Sequence, residues 1–305
     1  MTALEHRGVV GGLTTTERSA LLARSNAAGL QQFLVHVGAV AVTTTLIIER
    51  APFWPAAMVV QGVLLNFLFT TLHETVHRTP FATRWLNDLV GQVCGLVVLL
   101  GPRHFRHFHM AHHRYTNEPG KDPELAEPRP ATRAQYLMYL SGIADWWWRI
   151  TTLVSTAAGP NDHDFVPERS KATVRREAQL SLLAYAALGA VSVGASSTVL
   201  LTTWIVPLVL GGPFLRGYLL AEHAGCAHTD SMFANTRTTY TNAVVRRLAW
   251  NMPFHVEHHA FPAVPFHQLP AFHEHTQRHL ACTENGYVRF NRNYLRSQMA
   301  EAVKS

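Results

Sequence analysis

Long apolar runs separated by short polar breaks organise the chain. Residues 33–48 and 53–72 contain no Asp, Glu, Lys or Arg, and the break between them carries Glu49 and Arg50. Residues 178–197 and 198–221 form a second apolar pair, in which Arg216 is the only charged residue. Each run approaches the ~20 residues a helix needs to cross a bilayer, and the first is the shortest. The pattern predicts an all-α integral membrane protein with four spanning helices in two hairpins. A fifth apolar stretch, 89–102, is too short for a span and suits an interfacial or re-entrant segment. Residues 103–177 include Pro119, Pro123, Pro128, Pro130, Pro160 and Pro167, so they read as loops joining short helices.

The charges check this layout independently of hydropathy. Two tight hairpins place 1–32, 73–177 and 222–305 on one side of the membrane. Of the 26 Lys and Arg residues, only Arg50 then falls on the other side. The positive-inside rule makes the crowded side cytoplasmic. The expected organisation is one domain over 1–305, in which hairpins 33–72 and 178–221 carry a cytoplasmic helical cap. Trp146, Trp147 and Trp148 suit the headgroup level and ordinary packing equally.

Composition narrows the class further. Hydrophobic residues make up 48% and charged residues 15%, against roughly 25% charged in an average soluble domain. That excludes disorder and leaves a soluble bundle of buried helices as the alternative to a membrane protein. Three scattered cysteines, Cys94, Cys226 and Cys282, are too few for a disulfide framework or a cysteine zinc site. The polar opening, with Glu5, Arg7, Glu17, Arg18 and Arg24, does not read as a cleavable signal peptide. The formal charge of +6 suits nucleic acid, an anionic membrane surface or an acidic partner. With four spans expected, membrane lipid is the partner and nucleic acid is not.

The histidines are the chemical signal. Nine of the 19 fall in four windows, all on the side assigned as cytoplasmic. His73-Glu-Thr-Val-His77 places two imidazoles on one helical face. His109-Met-Ala-His112-His113 places three at about 0°, 300° and 40° around a helix, within one face. His255-Val-Glu-His258-His259 repeats that spacing, and His223 closes the fourth apolar run. An isolated pair such as His275 and His279 reads as a solvated helix face. His104 and His107 accompany the second window without sharing its face of necessity. His6, His36, His163, His228, His267 and His273 read as structural or unassigned.

Nine imidazoles exceed what one metal can use, since structural zinc takes four ligands. Two metals with four or five nitrogens each would use them all. Imidazole suits Zn, Cu, Fe and Ni, so ligand type leaves the metal open. Ligating histidines pass their other N–H to a carboxylate or carbonyl. Glu74, Asp122, Glu222, Asp230 and Glu257 lie near the windows in sequence. Asn251, four residues before His255, would share its face if the helix began that early, and would suit a metal-bound water.

Taken together, HETVH, FHMAHHRYTN followed by DPE, and NMPFHVEHH followed by FPAVPFHQLP resemble the membrane-bound fatty acid desaturase and hydroxylase superfamily. The likeness runs from about residue 53 to 292. It implies four transmembrane helices with a cytoplasmic cap, two iron ions and O2 as co-substrate. Residue by residue, it implies His73 and His77 for the first box, His109, His112 and His113 for the second, and His255, His258 and His259 for the third. His223 matches the extra histidine many members carry. Tyr115-Thr116-Asn117 and Asp122-Pro123-Glu124 match a stretch that often follows the second box. The sequence contains no His-Pro-Gly-Gly haem motif, so electrons are expected from a separate ferredoxin or rubredoxin with its reductase.

The activity expected is O2-dependent desaturation of a fatty-acyl or lipid-like substrate at the cytoplasmic side of a bacterial inner membrane. Hydroxylation of an alkane, a carotenoid or a polar metabolite uses the same ligands and remains an alternative. A rival of another class is an intramembrane zinc protease, because His73-Glu-Thr-Val-His77 also reads as H-E-x-x-H with Glu74 as general base. That rival leaves seven clustered histidines without a role, and the later spans hold no Asp for a further ligand. Metal transport would place ligands within the spans, where His36 is the only histidine.

Overall fold

The computed structural model describes residues 4–159 and 163–302. Pro160, the side chain of Glu5 and the extreme ends of the 1–32 and 222–305 segments lie outside the described residues.

Two short helices, α1 (Leu4–Gly12) and α2 (Thr15–Leu21), lead into α3 (Asn26–Ile48). The Thr14 hydroxyl accepts from the Glu17 backbone N–H and the Glu17 carboxylate accepts in return, a capping box that fixes the start of α2. Next come α4 (Trp54–His77), α5 (Arg84–Val97), α6 (Pro102–Tyr115), α7 (Arg133–Ser141), α8 (Ile143–Ala158) and α9 (Glu168–Gly194). One π-helical turn, Leu201–Ile205, opens α10 (Val206–His223). Pro207 has no N–H to give, which suits the widened turn before it. The remainder is α11 (Met232–Asn235), α12 (Ala243–Leu248), α13 (His255–Ala260), α14 (Leu269–Thr276) and α15 (Tyr287–Ala302). Strands β1 (Thr238–Tyr240) and β2 (Thr283–Asn285) pair in parallel, with Thr238 opposite Thr283.

Four helical stretches are long and apolar enough to cross a membrane: Thr15–Ile48, Trp54–His77, Glu168–Gly194 and Leu201–His223. They outrun the apolar patterns that predict them, because helical hydrogen bonding does not stop where side chains become polar. Thus α9 starts ten residues before 178, and α4 runs past Leu72 to His77. There Arg78 takes a left-handed conformation (φ 61°), and Pro80 follows two residues later. The fifth apolar stretch is bent. It covers the end of α5, the break and the start of α6, and the two helices meet at 98°.

Burial sorts the four stretches. The apolar windows of α4 and α10 are each 56% buried, against 22% for the stretch containing α3 and 17% for α9, so α4 and α10 form the central pair. Their backbones touch. A Cβ added to Gly62 would overlap the Pro207 carbonyl, and one on Gly211 would overlap the Gly62 backbone. Small residues permit such approach, and buried amides then bridge the helices. Asn66 Nδ2 donates to the Leu208 carbonyl at 2.9 Å, and Gln61 Nε2 donates to the Thr203 carbonyl at 3.0 Å.

The tryptophan run divides between packed and exposed side chains. Trp146 and Trp148 pack against the core, whereas Trp147 is 70% exposed. All three cysteines are free thiols.

Replacing Gly62 with Leu should force α4 from α10, at a cost of about 1–3 kcal/mol or more. Thermal melting in detergent should therefore fall for Gly62→Leu and stay unchanged for Gly38→Leu, because Gly38 has open space around it. Equal melting of the two variants would contradict the packing.

Candidate metal centre

The central helix pair ends in histidines. His73 and His77 occupy the last turns of α4, and His223 is the last residue of α10. Helix α6 brings His109, His112 and His113 against them, and α13 brings His255, His258 and His259. Two nests result. In the first, one nitrogen from each of His73, His77, His109, His113 and His258 lies within 4.8 Å of all the others. In the second, His112, His223 and His259 meet the same limit. His255 joins this second nest, with Nε2 3.2 Å from His223 Nε2. The nests abut where the His113 and His259 rings stack, centroids 4.1 Å apart.

The single helical face expected for each three-histidine window is therefore an arc shared between two centres. In α6, His109 and His113 (i, i+4) turn into the first nest and His112 into the second. In α13 the division reverses: His255 and His259 enter the second nest and His258 the first.

The nitrogens suit a cation. His109 Nε2 lies 2.8 Å from His77 Nε2 and 2.9 Å from His113 Nε2, which is 3.1 Å from His258 Nε2. Several lone pairs thus converge where ordinary hydrogen bonding has too few protons to join them. The outer nitrogens of the second nest are held from behind. His112 Nδ1 faces Asp122 Oδ1 at 2.9 Å, His223 Nδ1 faces the Asn235 carbonyl at 3.2 Å, and His259 Nδ1 faces Thr116 Oγ1 at 3.1 Å. These partners assign the N–H outward and leave each Nε2 lone pair facing in. His259 Nε2 is accordingly buried without a hydrogen-bond partner. A metal ion would satisfy it.

Burial, reinforced by neighbouring imidazoles, holds His109, His113, His258 and His259 well below the ordinary value of 6.5. They are neutral at neutral pH, the form that ligates. His112 behaves differently. Burial pulls it down, but Glu124 and then Asp122 outweigh burial and carry it above that value.

The orienting residues foreseen from sequence have mixed fates. Asp122 is buried, and the backbone N–H groups of Asn117 and Glu124 donate to it at 2.7 and 2.9 Å. Glu222 Oε1 is 3.4 Å from His255 Nδ1. Glu74 is buried and accepts from Thr79 Oγ1 at 2.8 Å, with its other oxygen 4.0 Å from His258 Nδ1. Glu257 points away from both nests. It accepts from Thr238, His273 and Thr276 at 2.6, 2.6 and 2.8 Å, tying α13 to β1 and α14. Asn251 must be corrected, because α13 begins only at His255. It stands in the preceding turn at φ 56° and donates to the Phe266 carbonyl at 3.1 Å. Asp230 is exposed and faces Thr229.

Other residues at the site had no role assigned from sequence. Thr116 and Asn235 hold histidines of the second nest. Glu124 Oε2 reaches 3.1 Å from His112 Nδ1 and 4.0 Å from His223 Nε2. The run after the second box was the available signal for Thr116 and Glu124; Asn235 had none. His104 packs against His163, centroids 5.2 Å apart, outside both nests, and His279 stacks on Phe233.

A cavity of about 430 Å3 opens beside the nests, with His73, His109, His112, His223 and His255 on its wall. Phe69, Phe105, Phe108 and Trp148 give it an aromatic lining. Arg216 and Asp145 also face it. Arg216 is held by Glu127 at 2.6 Å and lies over the Tyr139 ring at 3.7 Å.

A profile of the fatty acid desaturase family matches residues 50–292. The chain belongs to the fatty acid desaturase family. Four helices able to cross a bilayer make this desaturase-family chain an integral membrane protein, and its relatives are oxidoreductases. It is similar to the beta-carotene 4-ketolase 3 of Haematococcus lacustris, 31% identical over 94 residues, which are 30% of this chain and 29% of the ketolase. The sphingolipid delta(4)-desaturase/C4-monooxygenase of Homo sapiens is 25% identical over 226 residues, covering 72% of this chain and 63% of that protein. The sn-1 acyl-lipid omega-3 desaturase (ferredoxin) of a Nostoc strain is 30% identical over 84 residues, 28% of this chain and 23% of its own length. The chain thus spans less than two thirds of each of these relatives. Family membership displaces the zinc-protease reading of His73-Glu74-Thr75-Val76-His77, whose two histidines join three others in the first nest.

Two tests bear on the nests. For the depressed imidazoles, the unfolded chain binds protons that the folded one does not, so their contribution to stability is complete above 6.5 and is lost as pH falls. Melting of metal-free protein should therefore drop between pH 7 and 5 and hold level between pH 7 and 8.5. A rise on acidification would contradict the neutral assignment. Asp122→Asn should weaken metal retention by about 10–100-fold, read by chelator competition, and should also lower melting of the metal-free protein, because the amide nitrogen would face a backbone N–H from which the carboxylate now accepts.

Proposed function

We propose that the nine histidines hold two iron ions and that the chain is an O2-dependent desaturase of a fatty-acyl or lipid-like substrate. The observation that carries the reading is the division of nine imidazoles into a nest of five and a nest of four, side by side on one cavity. His73, His77, His109, His113 and His258 would hold one ion, and His112, His223, His255 and His259 the other. Bound there, reduced iron with O2 supplies the oxidant for an unactivated C–H bond, which side-chain acids and bases cannot break.

The chain's own residues do the rest. Asp122, Asn235 and Thr116 fix the tautomers and ring orientations of the second nest. Phe69, Phe105, Phe108 and Trp148 keep water from the cavity and lay an apolar chain beneath the histidines. The Arg216–Glu127 pair closes a polar part of the same wall.

In this reading, α3–α4 and α9–α10 form the two membrane hairpins. The box-bearing segments 73–177 and 222–305 lie together on the cytoplasmic side, as the Lys and Arg distribution favours. Electrons come from a separate ferredoxin or rubredoxin with its reductase. Hydroxylation is the second reading. Two relatives, a ketolase and a desaturase/C4-monooxygenase, favour it.

Elemental analysis of detergent-purified protein should give two irons per chain; one zinc and no iron would overturn the proposal. His109→Ala should abolish product and lower iron content, whereas His279→Ala should change neither. Double-bond or alcohol product from a panel of acyl lipids then separates the two readings.

A further inference from the structure

A second cleft, of about 450 Å3, lies away from the histidine cavity where α4, α5, α6 and α9 meet. Its charged lining is Arg78, Arg84, Arg103 and Arg106 against Asp88 and Glu177. Neither carboxylate serves the cleft well. Glu177 accepts from the backbone N–H groups of Arg103 and His104 at 3.0 and 3.4 Å, capping the start of α6, and Arg103 Nε lies 3.7 Å from it. Asp88 is 3.5 Å from Arg78, with its side chain 58% exposed, a weak pair.

Arg106 is left over. Its Nη1 is buried without a hydrogen-bond partner among the described residues. Burial and the like charges of Arg78 and Arg84 oppose its protonation, with Asp88 on the other side. A buried guanidinium N–H without an acceptor is expensive, and a cleft that keeps one beside other arginines calls for an anion.

We propose that this cleft is a phosphate-group site in which Arg84 and Arg106 are the principal ligands and Arg78 and Arg103 complete the charge. Guanidinium forks match phosphate oxygens in bidentate pairs. The surplus of two positive charges, four arginines less two carboxylates, matches a phosphate monoester of about −1.5 to −2 and exceeds the single charge of a phosphodiester headgroup. Arg78 caps α4, a stretch able to cross a membrane, so the cleft opens at the depth of lipid headgroups. The group can come from an anionic phospholipid or from a phosphate on a soluble molecule. The inference does not depend on which metal the nests hold.

The test uses the full metal-loaded chain in phosphate-free neutral detergent. Inorganic phosphate and pyrophosphate should raise the melting temperature beyond sodium chloride of equal ionic strength. Half-saturation should be at least tenfold weaker in Arg84→Gln, whose parent side chain is exposed. Arg106→Gln should lose the response. Stabilisation by phosphatidylglycerol nanodiscs over phosphatidylcholine ones, with none from soluble phosphates, assigns the site to a lipid headgroup. A response to pyrophosphate in detergent assigns it to a soluble phosphate. No response beyond the ionic-strength control in either setting, or one that both variants retain, overturns the proposal.

Discussion

The backbone contact between α4 and α10 is the constraint from which the site follows. Two helices that touch at Gly62 and Gly211 cannot slide or rotate freely, because any Cβ there meets a peptide group. Their C-terminal ends are thereby set side by side, and those ends carry His73, His77 and His223. Asn66 and Gln61 reinforce the contact with amide donors directed at the partner backbone. Buried amides in an apolar setting hold register strongly, since leaving them unpaired would be costly. The rest of the chain then has only to bring α6 and α13 over this fixed pair.

Much of this was legible in the chain. Runs with at most one charge located the four long helices, because a membrane requires such runs and a soluble fold rarely supplies four. Histidine spacing located the boxes. What spacing could not convey was the partition between two centres. An arc of about 100° fits one metal as readily as two, and the choice depends on how α6 and α13 cross the central pair, a tertiary fact. Asn251 shows the same limit: its relation to His255 held only if the helix began early, and the left-handed turn at Trp250 and Asn251 prevents that. Glu257 sits within the third box but turns outward to Thr238, His273 and Thr276, residues distant in sequence. Asn235 was invisible because its contribution is a backbone carbonyl, which no residue type advertises.

Charge is handled in three ways. Around the nests, burial and then neighbouring imidazoles keep His109, His113, His258 and His259 neutral, while Glu124 and Asp122 raise His112. Along the cavity, Arg216 and Arg149 are each satisfied, by Glu127 and by Asp145 with the Val98 carbonyl. In the second cleft, four arginines face two carboxylates. One helix thus contributes both to the histidine nests, through His109, His112 and His113, and to the cationic cleft, through Arg103 and Arg106.

The reversed division of α6 and α13 means that neither nest belongs to one helix. On the two-ion reading, an ion in either nest would be held by both helices and would steady the other nest before it is filled. The conformational entropy of fixing the second site would then be spent with the first ion. Loading should be cooperative, with the half-filled protein scarce at equilibrium, and partial activity in a preparation should reflect a mixture of full and empty molecules.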